Sequence, residues 1–451
     1  MAPILYTVDP SPPCRAVYMT AKAIGIELEH KIIDILKNEQ LDPSFIKINP
    51  RHTVPTLIDD NLVLTDSHAI TTYLTSKYAK DDGLYPKDLA KRALIDQMLH
   101  FDSSVTFPAL LNIGIPLRLK LTNDISQDKV IKVQEGYSFL EKYLEGKKWV
   151  ALNYPTLADI HLISTITSCS FFVPIGDHPN ILAWIQRAQK EDFYSENVKG
   201  LKDFNDLFQG FLNCYQSLYK TKNNFLKSHF DFVGRPKMSL VLYTLDVSPP
   251  CRAVYMVAKE IGVDLKHKII NVVNKEQYNE EYIKINPKHT IPTLIDGDLI
   301  LNDSHAITSY LVAKYSKNDF LYPKDVAKKA LIDQMLHFDS GVMFAALAQI
   351  TKSLIFEPKK GISPEHITFA ETAYDFLEKY LEGKDWVATN QHTIADLHLI
   401  ATVMSLNLVV SYKGRENIKN WVERCKNLAC YSENVKGYQD NVDLFSAITK
   451  Q

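Results

Sequence analysis

Cysteine is scarce in this sequence, and a long hydrophobic run is missing from it. Six cysteines in 451 residues are too few for a disulfide framework, and their spacing matches no metal-ligand pattern. They are Cys14, Cys169, Cys214, Cys251, Cys425 and Cys430. The longest uncharged stretches, near residues 160–176 and 397–412, contain Ser, Thr, Asn or His and are too short for a membrane span. We therefore expect buried helices, a reducing compartment and no bound metal.

An excess of charge of either sign is also missing. The chain has 51 Lys and Arg against 53 Asp and Glu, a net charge of -2, so no basic field argues for nucleic acid or an anionic membrane. The segment from Met1 to Tyr6 lacks a basic region and a long apolar stretch, and we expect no signal peptide and a cytoplasmic location. With 46% hydrophobic residues, the composition is typical of a globular protein.

What the sequence does contain is an internal duplication. The nine residues from Ser11 to Met19 recur unchanged from Ser248 to Met256. The offset of 237 positions between the two copies stays constant along the chain; Tyr431, for example, matches Tyr194. The sequence therefore predicts two complete units of the same kind.

Each unit divides into two parts of different class. Strand and helix patterns alternate over the first eighty or so residues, and only helical periods follow. This predicts an α/β domain followed by an all-α domain, present twice. The predicted limits are 1–83 and 88–214 in copy one, 215–237 for the joint, and 238–320 and 325–451 in copy two.

Ser11 and Ser248 each follow a short apolar run and precede apolar residues with helical spacing, as at a strand–turn–helix junction. A serine before proline is typical of a helix N-cap with proline at the first helical position. Free N–H groups and the positive end of the helix dipole favour an anion there, and the hydroxyl can donate one further hydrogen bond to a thiolate. A purely structural N-cap is the alternative interpretation.

Two further segments of each copy combine a turn with polar side chains. Residues 49–58 contain Pro55 between a loop and a strand, where a cis peptide bond is a candidate. Residues 66–70 begin a predicted helix with polar caps. Copy two repeats both segments, at residues 286–295 and 303–307.

The second part of each copy begins with a long predicted helix, over residues 90–111 in copy one. Further on, Thr156 and Asp159 have the spacing of a capping box, so we assign Asp159 no chemistry. His161, just inside that helix, is interpreted as a hydrogen-bonded core residue rather than a ligand. The matching residues of copy two are Thr393, Asp396 and His398.

Taken together, four motifs resemble those of the cytosolic glutathione transferases of the insect delta/epsilon type, and most of all the epsilon class. They are Ser-Pro-Pro-Cys-Arg-Ala-Val, Asn-Pro-x-His-Thr-[Val/Ile]-Pro-Thr-Leu, Asp-Ser-His-Ala-Ile and Thr-x-Ala-Asp. The resemblance covers both copies over nearly their full length and leaves out only the joint. It implies a thioredoxin-like domain followed by an all-helical domain in each copy.

The resemblance also implies the function and its site. Glutathione would be the co-substrate, without a metal, and its thiolate would attack small hydrophobic electrophiles at two active sites, as in detoxification. Ser11 and Ser248 would stabilise the thiolate, with Tyr6 and Tyr243 ranked second. The other implied contacts are His52 and His289 to the glycyl carboxylate, Val54 and Ile291 beside Pro55 and Pro292 to the cysteinyl part, and Asp66, Ser67, Asp303 and Ser304 to the γ-glutamyl end. Without the resemblance, a loop histidine and ordinary helix caps remain the alternative interpretation of these residues.

Two departures from the family pattern concern the glutathione site. Gln40 and Gln277 stand where many epsilon-class members carry histidine, and Ala109 and Ala346 stand where an arginine is often found. Both departures remove a polar contact with glutathione. We therefore expect an unusual affinity or range of second substrates.

The copies diverge at residues 104–112 and 341–349, the stretch that should line the pocket for the electrophile. Its candidate residues are Phe107, Leu111, Phe344 and Leu347. Pro108 matches Ala345 and is expected to kink the long helix in copy one only. The two sites are therefore expected to share glutathione and to differ in the second substrate, unless the divergence is neutral drift.

Two other functions remain open, a glutathione- or hydrophobic-ligand-binding protein with weak catalysis and a structural descendant of the fold. The intact motifs favour the transferase, because a structural descendant would be expected to lose Ser11 or His52 in at least one copy. The two units are expected to pack as an intrachain pseudo-two-fold dimer, since a tethered partner has a high effective concentration and the interface is self-complementary by descent.

Overall fold

The structure of the chain is a computed structural model that describes residues 2–209, 240–272, 274–356 and 361–449. The joint predicted at 215–237 lies outside these residues. Each copy consists of a four-stranded mixed sheet with helices, followed by helices alone. The predicted fold class is therefore confirmed.

The first domain of copy one is built on a sheet with the strand order β2-β1-β3-β4. Its strands are β1 (Ile4–Thr7), β2 (Glu29–Ile32), β3 (Thr56–Asp59) and β4 (Leu62–Leu64), and its helices are α1 (Pro12–Ile24), α2 (Pro43–Ile48) and α3 (Ser67–Tyr78). β1 is parallel to β2 and antiparallel to β3. The core of this domain contains one fully buried leucine from each of β1, β3 and β4, namely Leu5, Leu57 and Leu64. These side chains form the core together with α1 and α3.

The helix predicted from Pro12 to Ile24 is confirmed at both ends. It starts with prolines after Ser11, and it stops at Gly25, whose φ of 72° lies in the left-handed region that glycine adopts without strain. Apolar residues at helical spacing between these ends are buried.

The helical domain of copy one begins with a break that the sequence did not predict. The helix expected over residues 90–111 is divided into α4 (Leu89–Phe101), a π-helical turn (Asp102–Thr106) and α5 (Phe107–Arg118). Copy two has the same turn at Asp339–Met343, although Ala345 stands there in place of Pro108. Pro108 therefore does not cause the break, and the expected kink specific to copy one is wrong. It is the second residue of α5, where a missing N–H costs little.

Four more helices complete copy one, and copy two repeats the whole order. The remaining helices of copy one are α6 (Gln127–Leu144), α7 (Leu157–Phe172), α8 (Pro179–Ala188) and α9 (Ser195–Gln209). The strands of copy two are β5 (Val241–Thr244), β6 (Lys266–Ile269), β7 (Thr293–Asp296) and β8 (Leu299–Leu301). Its helices are α10 (Pro249–Ile261), α11 (Glu280–Ile285), α12 (Ser304–Tyr315), α13 (Val326–Phe338), α14 (Phe344–Phe356), α15 (Pro364–Tyr380), α16 (Ile394–Leu406), α17 (Glu416–Lys426) and α18 (Ser432–Thr449). Among the residues described, no helix has both the length and the apolar character that crossing a membrane requires.

The predicted capping box at the start of α7 is present and does more than cap. Asp159 Oδ2 accepts hydrogen bonds from the N–H and the hydroxyl of Thr156, at 2.9 and 3.0 Å. Its Oδ1 accepts from Val150 N at 2.9 Å and from the indole N–H of Trp184 at 3.0 Å. A buried carboxylate with this many donors holds three segments of the helical domain together.

Arg15 links the two domains of copy one. Its side chain is fully buried, and it donates to Asn197 Oδ1 at 3.0 Å, to the carbonyl oxygen of Ser164 at 3.1 Å and to the hydroxyl of Ser168. Burial lowers the pKa of Arg15 to about 9. Arg252 occupies the same position in copy two. A buried cation depends on hydrogen bonds of this kind, so these contacts tie α1 to α7 and α9.

The two copies contact each other through reciprocal hydrogen bonds. Helix α3 packs on α13, and α12 packs on α4. Thr65 N donates to Gln334 Oε1 at 2.6 Å, and Asn302 N donates to Gln97 Oε1 at 2.7 Å. Tyr143 OH donates to Asn302 Oδ1 at 2.9 Å. Since position 65 corresponds to 302 and position 97 to 334, the backbone contacts repeat when the copies are exchanged.

Candidate functional site

The register of the sheet brings the candidate glutathione residues to one end of it. Tyr6, near the end of β1, pairs with Thr56 at the start of β3, and Leu57 pairs with Leu64 at the end of β4. The segments that follow β1, precede β3 and follow β4 therefore meet at the same end. These segments carry Ser11, His52, Val54, Pro55, Asp66 and Ser67.

β2 extends this arrangement to Gln40. It runs parallel to β1, so the turn after β2, which contains Gln40, lies at the same end of the sheet. The side-chain oxygens of Gln40 and of Gln277 are buried, and among the described residues neither has a hydrogen-bond partner. Buried side-chain amides normally have hydrogen-bond partners, so these two oxygens are available to accept a hydrogen bond from a ligand.

Ser11 is the N-cap residue of α1 by position but not by hydrogen bonding. Its backbone is extended, with φ -72° and ψ 120°, and its side chain makes no cap hydrogen bond. Ser248 has the same geometry in copy two. In the purely structural interpretation, the serine hydroxyl caps the helix by a hydrogen bond. Neither serine makes that hydrogen bond.

The helix start offers few N–H groups, which corrects an expectation from the sequence. Pro12 and Pro13 occupy the first two helical positions and have no N–H. The N–H of Arg15 donates to the carbonyl oxygen of Ser11 at 3.0 Å. An anion in front of α1 would therefore depend on the serine hydroxyl and the helix dipole more than on a set of converging amides.

Cys14 and Tyr6, the other candidate side chains near Ser11, lie in different surroundings. Cys14 is fully buried, and burial raises the pKa of its thiol, so it stays protonated and unreactive. The ring of Tyr6 lies 5.4 Å from that of Phe45 on α2, with Lys31 Nζ 5.5 Å above it. The ring of Tyr6 thus contacts α2 and β2.

The loop before β3 has the special backbone that its sequence predicts. The Val54–Pro55 and Ile291–Pro292 bonds are cis, as the position of the prolines suggested. His52 has a φ of 46°, and its N–H donates to the carbonyl oxygen of Asn49 at 2.8 Å. A left-handed histidine is uncommon, and it is held here by the turn that presents its ring at the end of the sheet.

Copy two covers the edge of the site in copy one, and the reverse also holds. The ring of His52 lies 5.9 Å from that of Phe376, and the Arg51 guanidinium lies 5.5 Å over the ring of Phe338. In copy two, His289 lies 5.5 Å from Phe139. Each candidate site is therefore completed by aromatic side chains from the other copy.

Asp66 begins α3 and is linked to a buried histidine. Its Oδ1 accepts from the backbone N–H of His68 at 2.9 Å and from that of Ala69 at 3.2 Å. The same oxygen lies 3.2 Å from His68 Nδ1, and His68 Nε2 lies 3.1 Å from Asp102 Oδ2. Both ring nitrogens face carboxylates, so His68 donates with both and carries a positive charge.

The pKa values of this group follow from that arrangement. Burial alone would lower the pKa of His68, but Asp66 and Asp102 more than offset it and raise it to about 9. Burial would raise the pKa of Asp66, but His337, His68 and Arg51 hold it well below its usual range. Asp66 is therefore ionised at neutral pH.

A row of six stacked imidazoles crosses the contact between the copies. The rings stand in the order His161, His68, His337, His100, His305 and His398, with centroid separations of 4.2, 4.5, 4.0, 4.6 and 4.2 Å. Of these six, only the two outer members were predicted from the sequence to be core histidines. Thr71 Oγ1 lies 2.8 Å from His161 Nε2, which confirms that His161 is a hydrogen-bonded core residue.

The same row places possible metal ligands close together, although its geometry suits hydrogen bonding better. The ligand atoms of Asp66, His68 and His337 lie within 4.8 Å of one another, and so do those of His305, Asp339 and His398. Stacked rings are nearly parallel, with 19 to 22° between successive planes in the row. Lone pairs that lie in parallel planes do not converge on one ion.

The candidate pocket residues differ in how they are placed. Phe107, Leu111 and Phe344 are partly exposed, as a substrate-lining side chain must be. Leu347 is only 3% exposed and belongs to the hydrophobic core of the helical domain of copy two. Its assignment to the pocket is not carried further, because a side chain with 3% exposure has almost no surface to offer a substrate.

Two family models match the chain, and each of them matches it twice. The N-terminal domain of glutathione S-transferase matches residues 5–82 and 242–319. The C-terminal domain of glutathione S-transferase matches residues 123–192 and 342–429. The matched segments alternate in the order of the two domains seen in each copy.

Individual proteins match one copy at a time. Glutathione S-transferase D7 of Anopheles gambiae is 41% identical over 192 residues, which are 42% of this chain and 88% of that protein. Glutathione S-transferase 1 of Manduca sexta is 38% identical over 200 residues, 44% of this chain and 92% of that protein. Among solved structures, an epsilon-class glutathione S-transferase from the housefly Musca domestica is 39% identical and covers 46% of this chain and 98% of its own, with a TM-score of 0.45. A glutathione transferase homologue from Drosophila mojavensis with bound glutathione is 40% identical and covers 47% of this chain and 98% of its own, with a TM-score of 0.46.

Proposed function

Because the chain belongs to the glutathione S-transferase family, we propose that it joins the thiolate of glutathione to small hydrophobic electrophiles at two active sites. The observation that carries this proposal is present in both copies. A half-buried serine with no capping hydrogen bond stands at the same end of a sheet as a cis-proline loop and an ionised aspartate at a helix start. This combination has a place for the thiolate, for the peptide backbone and for the amino end of glutathione.

Ser11 and Ser248 would act by favouring the thiolate over the thiol. A free thiol with a pKa near ~8.5 is mostly protonated at neutral pH, and lowering that pKa by about two units corresponds to about 2.7 kcal/mol. A charge-assisted hydrogen bond from the serine hydroxyl, together with the dipole of α1 or α10, is of this size. The thiolate would then attack an electrophilic carbon held beside it, and the bond to a leaving group breaks as the carbon–sulfur bond forms.

The rest of glutathione would be held along the end of the sheet. The Oδ1 of Asp66 is used by α3 and His68, so we assign Oδ2 to the γ-glutamyl ammonium, with Ser67 at the adjacent carboxylate. The backbone of Val54 would pair with the cysteinyl residue. His52 would donate to the glycyl carboxylate, and the unpartnered side-chain oxygen of Gln40 would accept from an N–H of glutathione.

Phe107, Leu111 and Phe344 would line the apolar side of the two sites. The copies differ around these residues, so the sites should share glutathione and differ in the second substrate. Inactivating one serine at a time and comparing the two remaining sites on a panel of apolar electrophiles would test this. Identical selectivity ratios from both single-site enzymes would contradict it.

Three further predictions from the sequence stay part of the proposal. The domain limits are those given above, 1–83, 88–214, 238–320 and 325–451, with 215–237 as the joint. The two copies would form an intrachain counterpart of a two-fold dimer. The reaction would take place in the cytoplasm, where glutathione is reduced.

The proposal is tested by removing the two hydroxyls. We expect Ser11→Ala and Ser248→Ala each to remove roughly half of the conjugating activity on an aryl halide, and the double variant to remove most of it while the fold persists. Tyr6→Phe combined with Tyr243→Phe is the matched control and should keep most of the activity. A double serine variant with a near wild-type rate would overturn the assignment in favour of the tyrosines.

Retention on immobilised glutathione separates the other functions from this one. A chain that is retained but conjugates no electrophile would be a glutathione-binding protein. A chain that is neither retained nor active would be a structural descendant of the fold.

A further inference from the structure

The two aspartate–histidine–aspartate chains differ at one hydrogen bond. In copy one, the hydroxyl of Thr106 donates to Asp102 Oδ1 at 2.5 Å, while Asp102 Oδ2 lies 3.1 Å from His68 Nε2. In copy two, position 343 is a methionine, which has no donor. Both side chains are buried, Thr106 at 2% exposure and Met343 at 0%.

This difference leaves a carboxylate oxygen without a partner in copy two. Asp339 Oδ2 lies 3.0 Å from His305 Nε2, as in copy one. Its Oδ1 is buried, and no described residue donates a hydrogen bond to it. A buried carboxylate oxygen without a donor loses free energy relative to one that is paired, so the carboxylate of Asp339 is held in position less firmly than that of Asp102.

The consequence reaches the proposed γ-glutamyl residues through a short path. His68 Nδ1 lies 3.2 Å from Asp66 Oδ1, and His305 Nδ1 lies 3.3 Å from Asp303 Oδ1. Each imidazole thus orients a helix-start carboxylate on one side and is oriented by a buried carboxylate on the other. Outer hydrogen bonds of this kind fix the direction of the group that contacts a ligand.

We propose that Thr106 is a positioning residue of the first glutathione site, that its replacement by Met343 weakens the second site, and that the two sites therefore bind glutathione with different affinities. This inference rests on the proposed function, since Asp66 and Asp303 contact glutathione only if that proposal holds. Burial would raise the pKa values of both Asp66 and Asp303, and in each case neighbouring charged groups lower the pKa instead, so both carboxylates are ionised at neutral pH.

The copies also differ at a second position close to the helix-start aspartates, and any test must leave that position unchanged. Arg51 lies beside Asp66, and its Nε is buried without a hydrogen-bond partner among the described residues. Lys288 stands in the matching position of copy two. The experiment therefore changes only positions 106 and 343, and leaves positions 51 and 288 as they are.

The test uses the full chain with one site silenced. In the Ser248→Ala chain, Thr106→Val removes the hydroxyl with almost no change in volume, and Thr106→Ser keeps the hydroxyl. One hydrogen bond is worth a factor of about three to ten, so Thr106→Val should raise the KM for glutathione by that factor. The kcat and the KM for the electrophile should stay within about twofold, and Thr106→Ser should restore the KM for glutathione.

The reverse change in copy two gives an independent measurement. In the Ser11→Ala chain, Met343→Thr should lower the KM for glutathione by a similar factor relative to Met343→Val, which has the same size and no hydroxyl. Calorimetric titration with glutathione should give the same ranking without turnover.

The outcomes separate this inference from the proposed function. If Thr106→Val leaves glutathione affinity unchanged in an active enzyme, and Met343→Thr behaves as Met343→Val does, then the inference is overturned and the function stands. If the wild-type chain neither binds glutathione nor conjugates an electrophile, the proposed function fails and the inference with it. A loss confined to kcat or to thermal stability would assign Thr106 a structural role and also overturn the inference.

Discussion

At the scale of single residues, the histidine row contains groups with opposite proton affinities. His68 and His305 have pKa values raised to about 9, because two carboxylates around each ring more than offset burial. Burial, together with the charged imidazoles beside them, holds the pKa values of four others well below the usual range. These are His100, His161, His337 and His398. The two charged rings, His68 and His305, are thus separated by two neutral ones, His337 and His100, which keeps like charges apart.

This pattern predicts how stability depends on pH. Between pH ~6.5, where an unfolded histidine loses its proton, and pH ~9, the folded state holds more protons through His68 and His305. The stability that these protons contribute is present below that window and is lost as the pH rises through it. Urea denaturation from pH 6.5 to 9 should show a falling free energy of unfolding, and the combined variant His68→Gln with His305→Gln should show a smaller fall. A wild-type stability that rises across the window would contradict this.

Residue-level features also decide how much of the site the sequence reveals. The serine, the cis-proline loop and the helix-start aspartate are each encoded within a few neighbouring positions. Arg15 lies in the same nine-residue motif, but its partner Asn197 is 182 positions away. Only the packed domains show that this arginine is structural.

At the scale of elements, the approach of α9 to the loop after β1 depends on one glycine. A Cβ atom on Gly200 would lie 2.2 Å from the carbonyl oxygen of Asp9 and 2.6 Å from Arg15 Cδ. Gly437 has the same role against Asp246 in copy two. Since Asp9 lies two residues before Ser11, this contact sets the position of the proposed catalytic loop.

We therefore expect Gly200→Ala to destabilise the protein by about 1–3 kcal/mol through overpacking and to lower the activity of the first site. Gly114→Ala in α5 is the matched control, because its Cβ would meet Phe208 at 3.5 Å, an ordinary contact. That change should be neutral or stabilising by up to about 1 kcal/mol. Thermal unfolding of both variants and conjugation in the Ser248→Ala background give the two readouts, and equal unfolding temperatures would contradict the role given to Gly200.

The π-helical turns are the element that periodicity missed most clearly. Residues 102–106 contain no glycine or proline that would end a helix, so a single helix was expected there. Asp102 and Thr106 in this turn are both buried; Asp102 contacts His68 of α3, and Thr106 donates to Asp102. The spacing of apolar residues cannot predict the contact between His68 and Asp102, because these residues are 34 positions apart in the sequence.

At the scale of the whole molecule, the two copies are in contact through α3 with α13 and through α12 with α4. The contacts described above are reciprocal, and the histidine row needs three rings from each copy. We expect light scattering of the purified protein to give the mass of one chain, 51.4 kDa, because the internal partner saturates the interface. A stable species of two chains would show that the copies pair between chains instead.

The sequence by itself determined the duplication, the order of the domains, the helix from Pro12 to Ile24, the capping boxes and the places of the cis-prolines. All of these depend on neighbouring residues and on local backbone preferences, so they can be read from short stretches of sequence. Only the tertiary structure decided that the Ser11 hydroxyl is not used in capping and that Leu347 points into the core. It also decided that six histidines stack across the two copies, and that Asp339 lacks the donor which Thr106 supplies to Asp102. These features join residues that are distant in the chain or come from different copies, and their geometry is set by the packing of whole domains.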